Sequence, residues 1–223
     1  MINKAKYITA LIVLTSFGAG FSQAHADTSA ALKASTQGVG VELATALNDH
    51  MAFRLGFNYF ELNKSMEESD IEYDLDLELK SLNFLVDVHP FDNGFRLTAG
   101  GVWDKNNLNG LAVDAATYNI GGNTYTREQV GALAGKIDFR DVSPYLGIGF
   151  GHNVKKEGGW NFTADIGVIF TGSPRVSLTS TGGTLSDNEI FLENIQQEQQ
   201  DVADEIDFFR YYPVISLGLT YTF

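Results

Sequence analysis

The sequence has no cysteine, only 4 prolines in 223 residues, and far fewer basic than acidic side chains, 15 Lys and Arg against 28 Asp and Glu. The missing cysteine excludes a disulfide framework, a thiolate metal site and a lipoprotein attachment point. The scarcity of positive charge, a formal net of −13, excludes nucleic-acid binding and simple electrostatic adhesion to anionic lipid. Beyond residue 26 no apolar run is long enough for a spanning helix. If the remaining chain enters a membrane, it must do so as a closed barrel, because only helices and closed barrels satisfy every backbone group in lipid.

The N-terminal end has a different build. Lys4 and Lys6 precede an apolar run from Tyr7 to Phe21, followed by Ala24-His25-Ala26. A short basic segment, an apolar stretch broken by Thr15, Ser16, Gly18 and Gly20, and small residues flanking one position spell an export signal over residues 1–26, cleaved after Ala26. Its removal takes away Lys4 and Lys6 and no acid, which moves the net charge from −13 to −15. Residues 27–223 are one domain's worth of chain.

Within that domain eight segments alternate over lengths suited to tilted membrane strands. The first, near 30–35, sets Leu32 outward and Lys33 inward. After a Thr36-Gln37-Gly38 turn, Val39, Val41 and Leu43 alternate with Gly40, Glu42 and Ala44. A third strand sets Phe53, Leu55, Phe57 and Tyr59 against Arg54, Gly56 and Asn58. A fourth over 82–88 places Asn83 and Asp87 inward. Residues 71–79 also alternate but in the opposite phase, which predicts a bulge near Lys80-Ser81 with the upper part projecting beyond the membrane. A fifth strand carries Phe95, Leu97, Ala99 and Trp103 outward, Arg96 and Thr98 inward. A sixth places Tyr145, Gly147 and Gly149 inward, and a seventh Asn161, Thr163, Asp165 and Gly167. The last runs to Phe223, with Leu217, Leu219, Tyr221 and Phe223 on one face and Ser216, Gly218, Thr220 and Thr222 on the other.

The expected fold is therefore all-β, an eight-stranded antiparallel transmembrane barrel. Turns at 47–50, 89–94 and 152–159 are short, while segments 61–71, 104–141 and 171–209 are long, which places the long loops outside the cell. Phe53, Phe95, Phe150, Trp160, Tyr221 and Phe223 gather at one rim, and Tyr59, Trp103, Phe170 and Tyr211 at the other, as headgroup-level aromatics do. Thr126-Arg127-Glu128-Gln129 has a capping-box pattern that predicts a short helix through Leu133. Ser186 or Asp187 would cap a helix within 186–208, with Phe191, Ile195, Val202 and Ile206 near one face, packed over the outer mouth. The acidic stretch 61–78 reads as a solvated hairpin tip.

Four stretches of residues carry a family resemblance. The terminal Ser216-Leu217-Gly218-Leu219-Thr220-Tyr221-Thr222-Phe223 resembles the signal that bacterial outer-membrane barrels present to their assembly machinery, with Ser216, Gly218, Tyr221 and Phe223 at its fixed offsets. The chain as a whole resembles the superfamily of the outer membrane protein A and W transmembrane domains, and within it CarO-type proteins, described as porins for small solutes and basic amino acids. Asp141-Val142-Ser143-Pro144-Tyr145-Leu146-Gly147-Ile148-Gly149-Phe150, Phe170-Thr171-Gly172-Ser173-Pro174-Arg175-Val176-Ser177-Leu178 and Tyr212-Pro213-Val214 carry it. The resemblance implies a Gram-negative outer membrane, with lipid, lipopolysaccharide and the barrel assembly machinery as partners. The long loops depart from that family in length and composition.

The inward charges are Lys33, Arg54 and Arg96 against Glu42, Asp87 and Asp165. An eight-stranded barrel is wide enough only for its own side chains, and unpaired charges there would be costly, so a neutralised lattice is expected. Asp87, joined to the strand of Arg96 by the 90–94 turn, is the expected partner of Arg96. A charge-lined conduit for small, cationic solutes stays open as the alternative to this plug. The histidines His50, His89 and His152 all fall in short turns, without the Ser and carboxylate partners of a triad, and no metal-ligand spacing or phosphate loop is present. These patterns lead us to expect a non-enzymatic barrel without cofactor, acting structurally or through its surface loops. A narrow porin is the alternative, and a lipid-modifying enzyme is disfavoured.

Overall fold

The computed structural model describes residues 28–68, 71–91, 93–112, 117–151 and 158–223. The proposed cleavage point after Ala26 and the position of His152 lie outside them. In chain order the strands are β1 (Thr28–Ser35), β2 (Gly38–Asn48), β3 (Met51–Glu68), β4 (Ile71–Val88), β5 (Arg96–Asp104), β6 (Asn107–Ala112), β7 (Thr117–Ile120), β8 (Asn123–Thr126), β9 (Gly131–Asp138), β10 (Val142–Phe150), β11 (Gly159–Phe170), β12 (Arg175–Gly182) and β13 (Tyr211–Thr222). Eight of them close on one another, all antiparallel, in the order β1-β2-β3-β4-β5-β10-β11-β13, with β13 returning to β1 from Ser29↔Thr222 to Ser35↔Ser216.

Alternation decides which side chains enter the barrel. Leu32, Val41, Leu43, Leu55, Phe57, Phe84, Leu97, Leu146, Ile148, Phe162, Ile166 and Leu217 all stand exposed on its outer wall. Such a belt costs about 25 cal/mol per Å² in water and nothing comparable in hydrocarbon. The interior is the reverse: the two largest fully buried side chains are Arg54 and Arg96. Cross-strand aromatic pairs mark the two rims. Trp160 packs on Tyr221, centroids 5.1 Å apart, and Tyr221 on Phe223 at 5.3 Å, at the end of the short turns; Phe170 and Tyr211 meet at 5.8 Å at the other.

The long segments build a cap on the barrel. β3 and β4 run 18 residues each and stay paired beyond the wall in one unbroken register, from Met51↔Val88 to Glu68↔Ile71. β4 changes partner on the way, from β5, last paired at Ser81↔Asp104, to β6, first paired at Glu78↔Asn107. β9 and β12 then extend the cap sheet from β6. One cross-strand row on its inner face is Leu62, Leu77, Leu108, Ile137 and Val176; the neighbouring row on its outer face is Asn63, Asp76, Asn109, Lys136 and Ser177.

Two helices complete the cap, α1 (Arg127–Val130) and α2 (Glu189–Glu205), the latter followed by a 3-10 turn at Asp207–Arg210. Phe191 and Ile195 of α2 bury against Tyr118 and Ile120 of the β7–β8 hairpin and Val130. The Gln199 amide donates to the Leu178 carbonyl on β12, 3.1 Å.

Four expectations are corrected. There is no bulge at Lys80-Ser81; the β2–β3 pairing instead shifts register between Ala46 and Asn48. The apolar phase of 71–79 flips for another reason. Leu75, Leu77 and Leu79 continue the line of the lumen-facing residues, because above the wall the outer side meets polar surroundings and the inner side becomes the cap's packing face. Second, the segments 61–71, 104–141 and 171–209 are largely strand and helix rather than loop. Third, the helix expected from Thr126 through Leu133 ends at Val130, although both capping-box bonds form; Gly131, at φ 71°, turns the chain into β9. Finally, α2 is capped by Asn188, whose side chain accepts from the Phe191 N–H at 3.1 Å, while Ser186 instead accepts from the Gly183 N–H.

Candidate functional site

The lumen brings Lys33, Glu42, Arg54, Asp87, Arg96 and Asp165 into one cluster, three cations with three carboxylates. Lys33 on β1 reaches Glu42 at 3.1 Å and Asp165 at 2.7 Å. Arg54 on β3 touches three carboxylates: Glu42 at 3.3 Å, Asp165 at 3.4 Å and Asp87, whose Oδ1 accepts from Nη2 at 3.0 Å. Its Nε also lies 2.6 Å from Asp87 Oδ2, a close ion contact outside hydrogen-bond angles. Arg96 on β5 donates from Nη2 to Asp165 Oδ1 at 2.5 Å, with Asp87 Oδ2 3.6 Å from its Nε. Two hydroxyls join in: Thr98 donates to Asp87 at 2.7 Å and Ser216 to Asp165 at 3.1 Å.

The expected pair of Arg96 with Asp87 is present as the longer contact, and the nearer partner is Asp165, which the sequence did not point to. Asp87 sits next to Arg96 through a short turn, but β3 lies on its other side and Arg54 takes its carboxylate. Arg96 leans the opposite way. Its row runs Arg96, Gly149, Asp165, Ser216 across β5, β10, β11 and β13. A Cβ at Gly149 would overlap both the Asp165 carboxylate and the Arg96 guanidinium, so the glycine is what lets those two side chains meet.

The cluster is dry. Arg54, Arg96, Asp87 and Asp165 are each at most 3% exposed. Ions taken this far out of water need opposite charge close by, and the equal numbers of each sign supply it, although Arg96 Nη1 has no hydrogen-bond partner among the described residues.

Toward the cap an apolar collar overlies the charges: Leu85, Val102, Tyr145, Ile169 and Val214, with Tyr212 against them. Leu85, Tyr145, Ile169 and Tyr212 lie in one cross-strand row with Gly100 between Leu85 and Tyr145. The Tyr145 ring lies along the inner wall over Gly147 and its cross-strand neighbour Gly167, where any Cβ would overlap it. Above the collar, Ser81 accepts from Gln37 at 3.2 Å and from Asn58 at 3.0 Å, and Asn83 donates to Gln37 at 3.0 Å. Small cavities of about 20 and about 10 Å³ lie in the lumen. Each has room for about one water. The larger reaches Gln37, Asn58 and Asn83, the smaller Ser29, Ala44 and Thr220, and Glu42 and Arg54 line both.

Sequence reasoning named the charges but not the collar. Leu85, Val102, Ile169 and Val214 are single apolar residues at inward positions of four strands, and only the register gathers them. The terminal residues divide by face. Ser216 and Gly218 point inward, Gly218 packing beneath Lys33 and Thr163, while Tyr221 and Phe223 stand outside at the rim. His50 and His89 meet at the short-turn end, where the His89 N–H donates to the His50 carbonyl at 2.8 Å.

With the geometry in hand, likeness to solved structures can be stated. The fold matches that of CarO from Acinetobacter baumannii, with a TM-score of 0.57 and 23% identity over 87% of this chain and 97% of that one. It equally matches CarO2 of the same organism, at 0.58 and 22%, covering 88% and 98%. No protein-family model and no curated protein sequence matches the chain.

Proposed function

We propose that the chain is an integral outer-membrane β-barrel with a closed lumen, exported by a signal cleaved after Ala26, whose cap of β3, β4, β6, β9, β12 and α2 meets partners outside the cell. The observation that carries this reading is the filling of the lumen. A balanced, buried ionic layer and an apolar collar cross the lumen, and the cavities against them measure about 20 and 10 Å³. A hydrated solute would have to part both layers, and the charges have no better partners to move to. The exposed apolar belt between two aromatic rims supports placement in a bilayer, and the likeness to the CarO fold supports the outer membrane. Lipid and lipopolysaccharide are the surroundings this placement implies. Ser216, Gly218, Tyr221 and Phe223 are assigned as the signal to the assembly machinery. No catalysis is assigned.

A second reading has its own observation. The two cavities share Glu42 and Arg54 as common wall, so this ion pair separates them. A narrow porin for small cationic solutes would open there. Single-channel recording in planar bilayers tests the choice, since a closed barrel gives no steady conductance and a porin does.

A further inference from the structure

The cap sheet has two side edges, and the chain treats them differently. At β12 the edge is covered: α2 lies along it, and Gln199 takes up the Leu178 carbonyl. A third edge, where β13 rises past the short β1–β2 hairpin, is also closed. Thr36 donates its N–H to the Ile215 carbonyl at 3.1 Å and its hydroxyl to the Pro213 carbonyl at 2.9 Å, and Tyr212 donates to the Thr36 carbonyl at 2.5 Å. Pro213 itself has no N–H to leave unpaired. β3 differs. β2 pairs with it only as far as Val39↔Tyr59, and from Phe60 to Glu68 it pairs with β4 alone. Nine residues of strand therefore present one side of their backbone without a neighbouring strand among the described residues.

The two faces at this edge have opposite character. On the inner face the row Leu62-Leu77-Leu108-Ile137-Val176 ends abruptly at Leu62, 46% exposed, with Phe60 beside it 39% exposed; Lys64 closes the apolar stretch. On the outer face, Glu61 pairs across to Glu78 and Asn63 to Asp76, with Lys80 bonded to Glu78 as the cation nearby. The missing strand would thus need apolar residues inward and basic residues outward in strict alternation. A second copy of the chain does not meet that need, because the alternate positions of β3 that share the face of Glu61 are Asn63, Ser65 and Glu67, with no basic residue to offer the acids.

We propose that the free edge of β3 is a docking site for an extended peptide segment of alternating apolar and basic residues, which adds a strand to the cap sheet. Main-chain hydrogen bonds would hold it, the apolar side chains would continue the Leu62 row, and the basic ones would meet Asp76, Glu78 and Glu61. This deepens the closed-lumen reading by naming the chemistry of the cap's partner.

The test is fluorescence anisotropy on the full chain in lipid nanodiscs, with a labelled ten-residue peptide of alternating lysine and valine. The same peptide N-methylated at alternate residues along one edge, and a glutamate–valine counterpart, serve as competitors. Saturable binding is expected, weakened about tenfold or more by N-methylation and by Leu62→Ser. The double variant Asp76→Lys/Glu78→Lys should come to prefer the glutamate–valine peptide, a gain that misfolding cannot produce. Absence of binding, equal binding of the N-methylated peptide, or indifference to Leu62→Ser would overturn the proposal. So would a peptide-resistant dimer that Leu62→Ser dissolves, which would assign the edge to a second copy. Bilayer conductance is blind to this edge, so failure here and failure of the closed lumen are read separately.

Discussion

Arg96 and Asp165 are joined at 2.5 Å across Gly149, the residue between them in one row of β5, β10 and β11. Both are almost wholly buried, and neither is a neighbour of the other in sequence or in adjacent strands. The glycine makes a two-strand reach possible, so three positions act as one device.

Arg96→Ala should cost about 3–5 kcal/mol, because it leaves a buried carboxylate short of a cation. The coupling in a double-mutant cycle should be larger for Arg96 with Asp165 than for Arg96 with Asp87. Reversible urea unfolding in lipid vesicles measures both. Equal couplings would mean that Arg96 shares itself evenly. Gly149→Ala, which adds only a methyl, should also destabilise by crowding both groups.

Asp104 offers the opposite case. It is 3% exposed at the cap end of β5; the Asn106 backbone N–H hydrogen-bonds its carboxylate, but no group among the described residues hydrogen-bonds its Oδ2. Asp141 adds charge of the same sign nearby. Asp104→Asn keeps the shape and removes a buried charge, so it should leave stability unchanged or raise it by about 1–2 kcal/mol at neutral pH. A loss of stability in the same unfolding assay would show that the carboxylate has a partner that this account overlooks.

Deleting Phe223 should impair assembly more than removing any one segment of the cap. The ring packs on Tyr221 at the short-turn rim, and its N–H donates to the Thr28 carbonyl at 3.0 Å, which joins the chain's last residue to β1. Heat-modifiable gel mobility of the membrane fraction reads the outcome. Normal levels of folded protein would refute the assigned signal.

N-terminal sequencing of protein extracted from membranes should begin at Asp27. A product that fractionates as soluble without detergent would contradict both the signal and the barrel's place in a bilayer.

How far the sequence foretold this arrangement differs from part to part. Period-two alternation was enough for the eight wall strands, because lipid on one side and a crowded interior on the other impose it at every position. The same rule identified Lys33, Arg54 and Arg96 as inward without saying who pairs with whom. Partners depend on stagger between strands, so Arg96 meets Asp165, two strands away, more closely than Asp87, next along the chain. The collar was hidden for a related reason. Leu85 or Ile169 alone looks like a lapse in alternation, and only a register that sets Leu85, Tyr145 and Ile169 in one row turns lapses into a layer. In the long outer segments the helix within 186–208 and the hairpin at 61–78 were legible, but the strands β6, β9 and β12 were not, because they answer to one another. Leu77 and Leu108 reverse the wall's phase once lipid no longer dictates it.

Single-channel recording of the purified protein in planar bilayers addresses the closed lumen most directly, with Arg54→Ala recorded beside it. Arg54 touches Glu42, Asp87 and Asp165 and lines both cavities. The account predicts no steady conductance from the native barrel, and openings only when that guanidinium is removed. Stable, cation-selective openings of the native protein would contradict it and put the narrow porin in its place.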